Sequence, residues 1–151
     1  MQYHVFDLDG TVIDSRHRYR TLPCGNIDLK HWLKMAESRE ATFKDKLLPL
    51  ADTMRRLYNT GHHVIICTSR TRHQNWLDFL SHHRLFAHAT LARSEGDMTG
   101  DADLKEQMLD DYFSSLGTCL EAERVVMYED HMGVIERMRS RGVICSIARY
   151  E

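Results

Sequence analysis

The sequence lacks the long apolar run, about 18 residues or more, that a membrane-spanning helix requires. It also begins without the basic segment and apolar stretch of a secretory signal peptide, so we expect a cytoplasmic protein. The sequence also lacks an excess of charge of either sign, because its formal net charge is only −2 at pH 7. The chain therefore has no global basic field that would attract nucleic acid by charge alone.

Cysteine is sparse and shows no spacing typical of a metal site or a disulfide framework. The four cysteines include no Cys-x-x-Cys pair. Cys67 and Cys145 stand within apolar, strand-like runs, where a thiol usually fills space in the core. The ten histidines include adjacent pairs at 62–63 and 82–83, but none has the i, i+4 helical spacing of a zinc site. These absences argue against a disulfide-rich or zinc-binding class and favour a reducing compartment.

The run VFDLDGTV, within residues 3–12, combines an apolar strand with two closely spaced acids. Asp7 and Asp9 project to the same side of an extended segment, and Gly10 permits a sharp turn after them. Two close carboxylates repel each other unless a proton or a metal ion lies between them, and oxygen ligands favour Mg²⁺ over Zn²⁺. An Asp-Gly turn at the end of an ordinary strand is the alternative interpretation.

Strands alternate with helices along the chain. The predicted strands cover residues 3–7, 62–67, 88–93, 124–128 and 143–148, and the predicted helices cover 28–38, 49–60, 71–81, 101–113 and 132–141. Continuously apolar strands in this alternation predict an α/β fold with a doubly wound, Rossmann-like parallel sheet. The length of 151 residues suits a single domain spanning 1–151.

Three of the predicted strands end in groups that are able to do chemistry. Asp7 and Asp9 follow the first strand, Thr-Ser-Arg at 68–70 follows the second, and Glu-Asp at 129–130 follows a later one. In a doubly wound sheet the ligand crevice lies beyond the carboxyl ends of the strands. We therefore expect these groups to meet in one site.

Phosphoryl transfer is a reaction that such groups could catalyse. It needs an in-line nucleophile, cations on the phosphate oxygens and a proton donor for the leaving group. Asp7 suits the nucleophile and Asp9 the acid/base, with Asp130 completing a Mg²⁺ site. Thr68 offers a hydroxyl to a phosphate oxygen, and Lys105 is a candidate for neutralising phosphate charge. From periodicity alone, Lys105 is better explained as a solvated helical lysine, and Thr68 is equally well explained as an ordinary strand-end hydroxyl.

Four segments in order resemble the motifs of haloacid dehalogenase-like hydrolases: DLDGT, VIICTSR, the lysine of DADLK, and YEDH. They span the chain and leave no room for a separate cap domain. Within that superfamily, the segments KLLPLADTMRRLYNTGHHVIICTSR, ARSEGD and MRSRGVICSIA are most similar to the phosphatase domain of phage-type polynucleotide kinase/phosphatases. Asp97 also matches a family position, whereas Glu129 departs from the Asp-Asp pair that is usual there.

The resemblance implies a Mg²⁺-dependent phosphatase that works through an aspartyl-phosphate intermediate. The catalytic residues that it implies are Asp7, Asp9, Thr68 and Lys105, and the implied metal ligands are Asp7, Asp9 and Asp130. The candidate substrate-binding residues are Thr11, Arg16, Arg18, Ser69, Arg70 and Arg93.

The basic cluster at 16–20 (Arg-His-Arg-Tyr-Arg) follows the catalytic loop and could hold a nucleotide's phosphate or stack on its base. A solvated basic loop is the alternative. The predicted reaction is removal of the 3′-phosphate from nucleic-acid ends, with a 5′-phosphatase of free (deoxy)nucleotides or of another small phosphate ester as the alternative. The chain has no G-x-x-x-x-G-K-[ST] motif, so we expect no kinase activity from it.

A non-catalytic binding or regulatory protein is a further interpretation from a different class. Receiver domains, for example, share the doubly wound topology and a phosphorylatable Asp, but they lack the DLDGT string. The expected partners are a phosphorylated nucleic-acid end or a nucleotide, and no membrane.

Overall fold

The structure is a computed structural model that describes residues 2–148. Five parallel strands form the central sheet: β1 (Gln2–Phe6), β4 (His63–Thr71), β5 (Ala89–Arg93), β6 (Arg124–Glu129) and β7 (Ile144–Ile147). Their spatial order is β5-β4-β1-β6-β7, so the chain order reverses at β1. The predicted doubly wound parallel sheet is confirmed. The prediction of one domain over 1–151 stays a prediction, and its terminal residues 1 and 149–151 lie outside the described part.

Helices cover both faces of this sheet. They are α1 (Leu29–Ala36), α2 (Arg39–Phe43), α3 (Leu50–Asn59), α4 (Gln74–His82), α5 (Asp101–Ser115) and α6 (Met132–Ser140). Along β1, Val5 packs with the side chains of α5 and α6, whereas Phe6 packs with those of α3 and α4. This alternation follows from the two-residue period of a strand and gives two apolar layers. None of the helices within residues 2–148 is long and apolar enough to cross a membrane.

The helix boundaries follow local signals that the sequence carries. Asp28 is the N-cap of α1 and accepts a hydrogen bond from the amide of His31 at 3.1 Å. Pro49 precedes α3, and Gly61, with φ of 89°, follows its end. Helix α1 buries none of its residues, although its apolar side chains lie on one side. It therefore contributes little to the core.

Apart from α1, residues 9–48 differ from the prediction. A two-stranded antiparallel sheet pairs β2 (Ile13–Asp14) with β3 (Lys46–Leu47), and helix α2 precedes β3. These elements have two to five residues each, too few for a hydrophobic period to be recognised. Together with α1 they form a small helical insertion beside the carboxyl end of β1.

The carboxyl ends of β1 and β6 lie side by side at the point where the strand order reverses. Phe6 pairs with Tyr128, and the amide of Asp7 donates to the carbonyl of Tyr128 at 3.1 Å. A crevice opens at such a reversal because the connections leave the two strands in opposite directions. The side chains that follow β1 and β6 consequently face a common space.

Candidate active site

The loop after β1 is a tight turn built around Gly10. The carbonyl of Leu8 accepts hydrogen bonds from the amides of Thr11, Val12 and Ile13. Gly10 has φ of 81°, and a Cβ at this position would collide with the Asp130 carboxylate. Only glycine fits both the left-handed backbone and this close approach. The turn thereby brings the end of β6 directly against the loop that carries Asp7.

Asp7 is buried and held through both of its carboxylate oxygens. The hydroxyl of Thr11 donates to Oδ2 at 2.9 Å, and Nζ of Lys105 donates to Oδ1 at 2.7 Å. Its side chain is 7% exposed, which is enough to leave one edge open to the crevice. A carboxylate fixed in this way loses little freedom when it attacks a substrate. The structure brings Lys105 to Asp7, whereas Thr11, a candidate for binding substrate, donates its hydroxyl to Asp7.

Lys105 lies in the second turn of α5 and is buried, contrary to the reading of it as a solvated lysine. Its Nζ donates to Asp7 and also to Oε2 of Glu129, at 2.7 Å in each case. Burial alone would lower the pKa of Lys105, but the two carboxylates outweigh it and raise the pKa above its usual value. Lys105 is therefore a permanent positive charge in the crevice.

Glu129 is fully buried, and its carboxylate accepts hydrogen bonds from three donors. Oε2 accepts from Lys105, and Oε1 accepts from the amides of Asp130 and His131 at 3.1 Å. Burial and the nearby charge of Asp7 raise the pKa of Glu129 to about 8, while Lys105 opposes that rise. Its larger size relative to Asp lets the carboxylate reach across to the ammonium. Glu129 thus positions Lys105 and the loop after β6.

Three carboxylates, from Asp7, Glu129 and Asp130, offer oxygens that lie within 4.8 Å of one another, and we call them the acidic group. Burial and the charge of Asp7 raise the pKa of Asp130 to about 6. One ammonium, from Lys105, cannot neutralise three such charges, so this set fits a divalent cation that binds oxygen ligands. Since Glu129 is already saturated by donors, Asp7 and Asp130 are the members best able to bind it.

Asp9 lies beside the acidic group, but its carboxylate is engaged elsewhere. Arg70 donates from Nε to Oδ2 at 2.8 Å and from Nη2 to Oδ1 at 2.6 Å, and the hydroxyl of Ser15 donates to Oδ1 at 2.5 Å. Burial would raise the pKa of Asp9, but the Arg70 guanidinium outweighs burial and lowers it. Within residues 2–148 the structure therefore does not bring the Asp9 side chain into the metal group that the sequence predicted.

The Thr-Ser-Arg segment at the end of β4 contains an irregularity in strand pairing. Cys67 pairs with Leu91 but Thr71 pairs with Arg93, so two extra residues lie on the β4 side. Such bulges redirect side chains next to functional sites. Here the bulge turns Arg70 towards Asp9, and the hydroxyl oxygen of Thr68 accepts from the Arg70 amide at 3.1 Å.

Ser69, in the same bulge, has a buried hydroxyl. This Oγ finds no hydrogen-bond partner among the residues that the structure describes. A buried hydroxyl that is left unpaired carries a cost in desolvation.

Three arginines predicted to bind substrate are used differently. Arg16 is exposed and pairs with Asp14 through Nη2 at 2.7 Å. Arg18 is buried, with 1% of its side chain exposed, and pairs with Asp45. Arg93 donates to the carbonyls of Ser69, Asp97 and Thr99, so it stabilises the loop before α5 rather than reaching into the crevice. In these positions charge alone could not distinguish a ligand contact from an internal ion pair.

Asp45 and Trp32 are site-adjacent residues that the sequence reasoning missed. Asp45 is fully buried beneath Arg18 and Arg70, and the ring of Trp32 lies over both guanidiniums. Both residues belong to the insertion, where only α1 was predicted. An acid in a sequence such as KDK reads as a solvated charge. The sequence offered no direct signal for this contact, because Arg18 and Arg70 are both distant from Asp45 along the chain.

Comparison with known proteins agrees with this geometry. The family model described as "Bacteriophage T5 5'-deoxynucleotidase" matches residues 1–149. The 5'-deoxynucleotidase of Escherichia phage T5 is 31% identical over 156 residues, which cover 91% of this chain and 63% of that protein. The chain thus spans less than two thirds of the length of this relative.

Solved structures share the fold at low sequence identity. A chain of the Pnkp1/Rnl/Hen1 complex superposes with a TM-score of 0.72 at 19% identity, covering 99% of this chain and 46% of that one. A haloacid dehalogenase-like hydrolase from Streptococcus pneumoniae superposes with a TM-score of 0.64 at 13% identity, covering 95% of this chain and 82% of that one. The likeness in fold to haloacid dehalogenase-like proteins that the motifs indicated is confirmed.

Proposed function

The chain belongs to the bacteriophage T5 5'-deoxynucleotidase family, and on that premise we propose that it is a phosphoric monoester hydrolase that removes the 5′-phosphate from deoxynucleotides. The observation that carries the proposal is the environment of the Asp7 carboxylate. Its two oxygens accept hydrogen bonds from Thr11 and Lys105, and the carboxylate of Asp130 lies close to it. This arrangement presents a carboxylate and a fixed positive charge to the same phosphate. The 31% identical phage relative supports the 5′ position over the 3′ position that the sequence favoured.

In the first step, a carboxylate oxygen of Asp7 attacks the phosphorus in line with the ester oxygen. A new P–O bond to Asp7 forms as the bond to the nucleoside oxygen breaks, and Asp9 delivers a proton to that leaving oxygen. Lys105 stabilises the charge that spreads over the phosphate oxygens, since its ammonium is 2.7 Å from Asp7. Thr68 offers its hydroxyl from the bulge of β4 to the same oxygens.

In the second step, water attacks the phosphorus of the aspartyl phosphate. Asp9, now a carboxylate, takes the proton of that water, and inorganic phosphate leaves as Asp7 is regenerated. The hold of Arg70 and Ser15 on Asp9 favours its charged form, which this second step requires. The same hold opposes the protonated form, which Asp9 must take up before it donates in the first step.

The cofactor that we propose is Mg²⁺, held by Asp7 and Asp130. When bound, a divalent cation would offset the charge of these carboxylates and of the incoming phosphate. Hard oxygen ligands suit Mg²⁺ better than softer metals, and no thiol or imidazole belongs to the acidic group.

The nucleoside part of the substrate has a suitable surface on the insertion. Tyr19 and Trp32 contact each other edge to face at 5.4 Å between ring centroids, and Trp32 lies within 5.8 Å of the Arg70 guanidinium. Aromatic rings beside a phosphate site support stacking of a base. We expect Trp32→Ala to weaken nucleotide binding by about 1–3 kcal/mol, seen in KM, and to leave the KM for 4-nitrophenyl phosphate nearly unchanged. Phe86→Ala, which removes an exposed aromatic elsewhere, is the matched control.

A second candidate is removal of 3′-phosphates from nucleic-acid ends. The observation that favours it is a groove of about 360 Å³ lined by Asp14, Arg16, His17, Lys44 and Lys46. The lining is mostly basic and lies next to Ser15, whose hydroxyl donates to Asp9. Such a groove could bind the phosphodiester backbone of a polymer. Binding of that kind would weaken steeply as salt increases, whereas a free nucleotide would respond little.

The deciding experiment measures phosphate release, with Mg²⁺, from deoxynucleoside 5′-monophosphates, their 3′ isomers, ribonucleotides and 3′-phosphorylated oligonucleotides. We expect the highest kcat/KM on the 5′-deoxynucleotides, with weak dependence on salt. A preference for oligonucleotides that disappears between 50 and 200 mM salt would favour the second candidate. Equally feeble release from every substrate, matched by the Asp7→Asn variant, would contradict both.

A further inference from the structure

Asp45 lies two residues beyond the end of α2 and is the centre of a buried ionic network. Its Oδ1 accepts from Arg18 Nε at 2.9 Å and its Oδ2 accepts from Arg18 Nη2 at 2.8 Å. His17 Nε2 lies 2.7 Å from Oδ1, and Arg70 Nη2 lies 3.4 Å from Oδ2. The side chain of Asp45 is 0% exposed, so these contacts replace water entirely.

Arg70 connects this centre to Asp9. One nitrogen, Nη2, donates to Oδ1 of Asp9 at 2.6 Å and approaches Oδ2 of Asp45 at 3.4 Å. The guanidinium is planar and rigid, so a carboxylate on one side fixes the direction of the bond on the other. Asp9, Arg70, Asp45 and Arg18 therefore form a continuous chain of alternating charges, which we call the Asp45 network.

Trp32 closes the network from the side. Its ring centroid lies 4.5 Å from the Arg18 guanidinium carbon and 5.8 Å from that of Arg70. Both are within the distance of a cation–π contact. The side chains that surround Arg70 in this network, Asp45, Arg18 and Trp32, thus come from the insertion, whereas Arg70 itself is part of strand β4 of the sheet.

Burying Arg18, Arg70 and Asp45 almost completely, with Asp9 partly buried beside them, is expensive, and a packed apolar cluster would stabilise the fold at least as well. What an apolar cluster could not do is fix the orientation of a guanidinium that holds Asp9. The network is therefore better explained by the orientation that it gives to the Arg70 guanidinium than by a contribution to the stability of the fold.

We propose that Asp45 is a positioning residue, which orients Arg70 so that Arg70 holds the Asp9 carboxylate where it exchanges protons with the substrate and with water. The inference rests on the proposed phosphatase function, in which Asp9 is the acid/base. Asp45 itself touches none of the reacting atoms. Its influence is on the chemical steps, hence on kcat more than on KM.

Substitution Asp45→Asn keeps the size of the side chain and removes its charge. We expect kcat to fall on the order of 10²-fold, the scale of acid–base catalysis, while KM stays nearly constant. Asp45→Glu should recover part of that loss. Because Asp45→Asn removes a buried charge, it could also unfold the protein, so Arg70→Lys serves as a second variant: it keeps a cation but cannot reach Asp9 and Asp45 together.

The double variant Asp9→Asn/Asp45→Asn separates positioning from a general structural effect. If Asp45 acts through Asp9, the double variant is no slower than Asp9→Asn alone. Losses that multiply would overturn the proposal. The same cycle is run with 4-nitrophenyl phosphate, so that an error about the nucleotide substrate would not hide the result.

A direct readout that needs no turnover is the NMR signal of the Arg70 Nε–H group. We expect it to be protected from exchange in the wild type and to shift or broaden in Asp45→Asn. An unchanged Arg70 signal would overturn the positioning role even if the protein showed no phosphatase activity. Absence of phosphate release by the wild type, with this signal perturbed as expected, would instead count against the proposed function alone.

Discussion

The acidic group and the Asp45 network lie next to each other, but their charges are balanced in different ways. In the acidic group three carboxylates face one ammonium, and the pKa of Asp130 is raised to about 6. In the Asp45 network two carboxylates face two guanidiniums. The first cluster is incomplete without a further cation, and the second is complete by itself. We therefore expect a ligand where charge is unbalanced, and a fixed internal geometry where charge is balanced.

The strongest way to break this comparison is to change Asp7. Asp7→Asn removes the proposed nucleophile, and we expect kcat for phosphate release to fall on the order of 10⁴-fold or more. The measurement is release of inorganic phosphate with Mg²⁺, alongside circular dichroism to verify the fold. Retained turnover would remove Asp7 as the nucleophile and with it the functional reading of the acidic group.

Substitution Lys105→Met tests the charge balance through stability. Without Lys105 the buried carboxylate of Asp7 loses its charge partner, and Glu129 loses the ammonium that opposes the rise of its pKa. We therefore expect the free energy of unfolding to fall by about 3–5 kcal/mol in the absence of divalent cations. Denaturant unfolding measures this. The double variant Lys105→Met/Glu129→Gln should recover part of the loss.

The matched control for that experiment is Arg137→Met. Arg137 pairs with Asp103 on the surface, where both side chains are more than a third exposed. An exposed pair contributes at most about 1 kcal/mol. If Lys105→Met were no more destabilising than Arg137→Met, the Lys105 ammonium would not be needed to stabilise the carboxylates of the acidic group in the folded protein.

The pH dependence of stability sharpens the comparison further. The native pKa of Asp130 is raised from 3.8 to about 6, so between these values the native state binds more protons than the unfolded state. Stability that is present below about pH 4 is consequently lost as the pH rises through about 6. Thermal unfolding at a series of pH values without divalent cations should show this decrease.

Two conditions should abolish the part of that decrease that comes from Asp130. Glu129, whose pKa is raised to about 8, contributes a further part that extends to higher pH. Added Mg²⁺ competes with the proton at the acidic group, and Asp130→Asn removes the titrating carboxyl. Variants of the Asp45 network should leave the slope unchanged, because that network is already neutral. A slope that persisted undiminished in Asp130→Asn would place its origin elsewhere.

The smallest effect is expected from Arg16→Ala. Arg16 was a sequence-based candidate for binding substrate, yet its side chain is 57% exposed and pairs with Asp14. We expect the unfolding free energy to change by less than about 0.5 kcal/mol and kcat/KM on a nucleotide to change little. A marked loss on oligonucleotides alone would instead support the basic groove as a polymer site.

Much of the sheet and of the acidic group could be predicted because their signals are local. Apolar runs define the strands, and the rule that ligands bind beyond strand ends joins Asp7 to Asp130 without coordinates. The side-chain partners could not be predicted in the same way. Arg70, Arg93 and Asp9 each had several possible partners, and only the packed chain determines which one is chosen.

The insertion was the least predictable region for a related reason. Its elements are short, and the acid at its centre is polar in sequence but buried in the fold. Asp45 becomes interpretable only once Arg18 and Arg70 are seen to converge on it. Buried polar residues of this kind invert the usual relation between polarity and exposure.

The contact between Lys105 and Asp7 joins residues 98 positions apart in the chain. Glu129, which holds the same ammonium, is provided by a strand still closer to the carboxyl end. During synthesis, a ribosome-bound chain that has not yet added β6 to the sheet therefore has Asp7 but neither Glu129 to hold the Lys105 ammonium nor Asp130. Under the proposed function, we expect turnover to appear late in folding, as the sheet is completed.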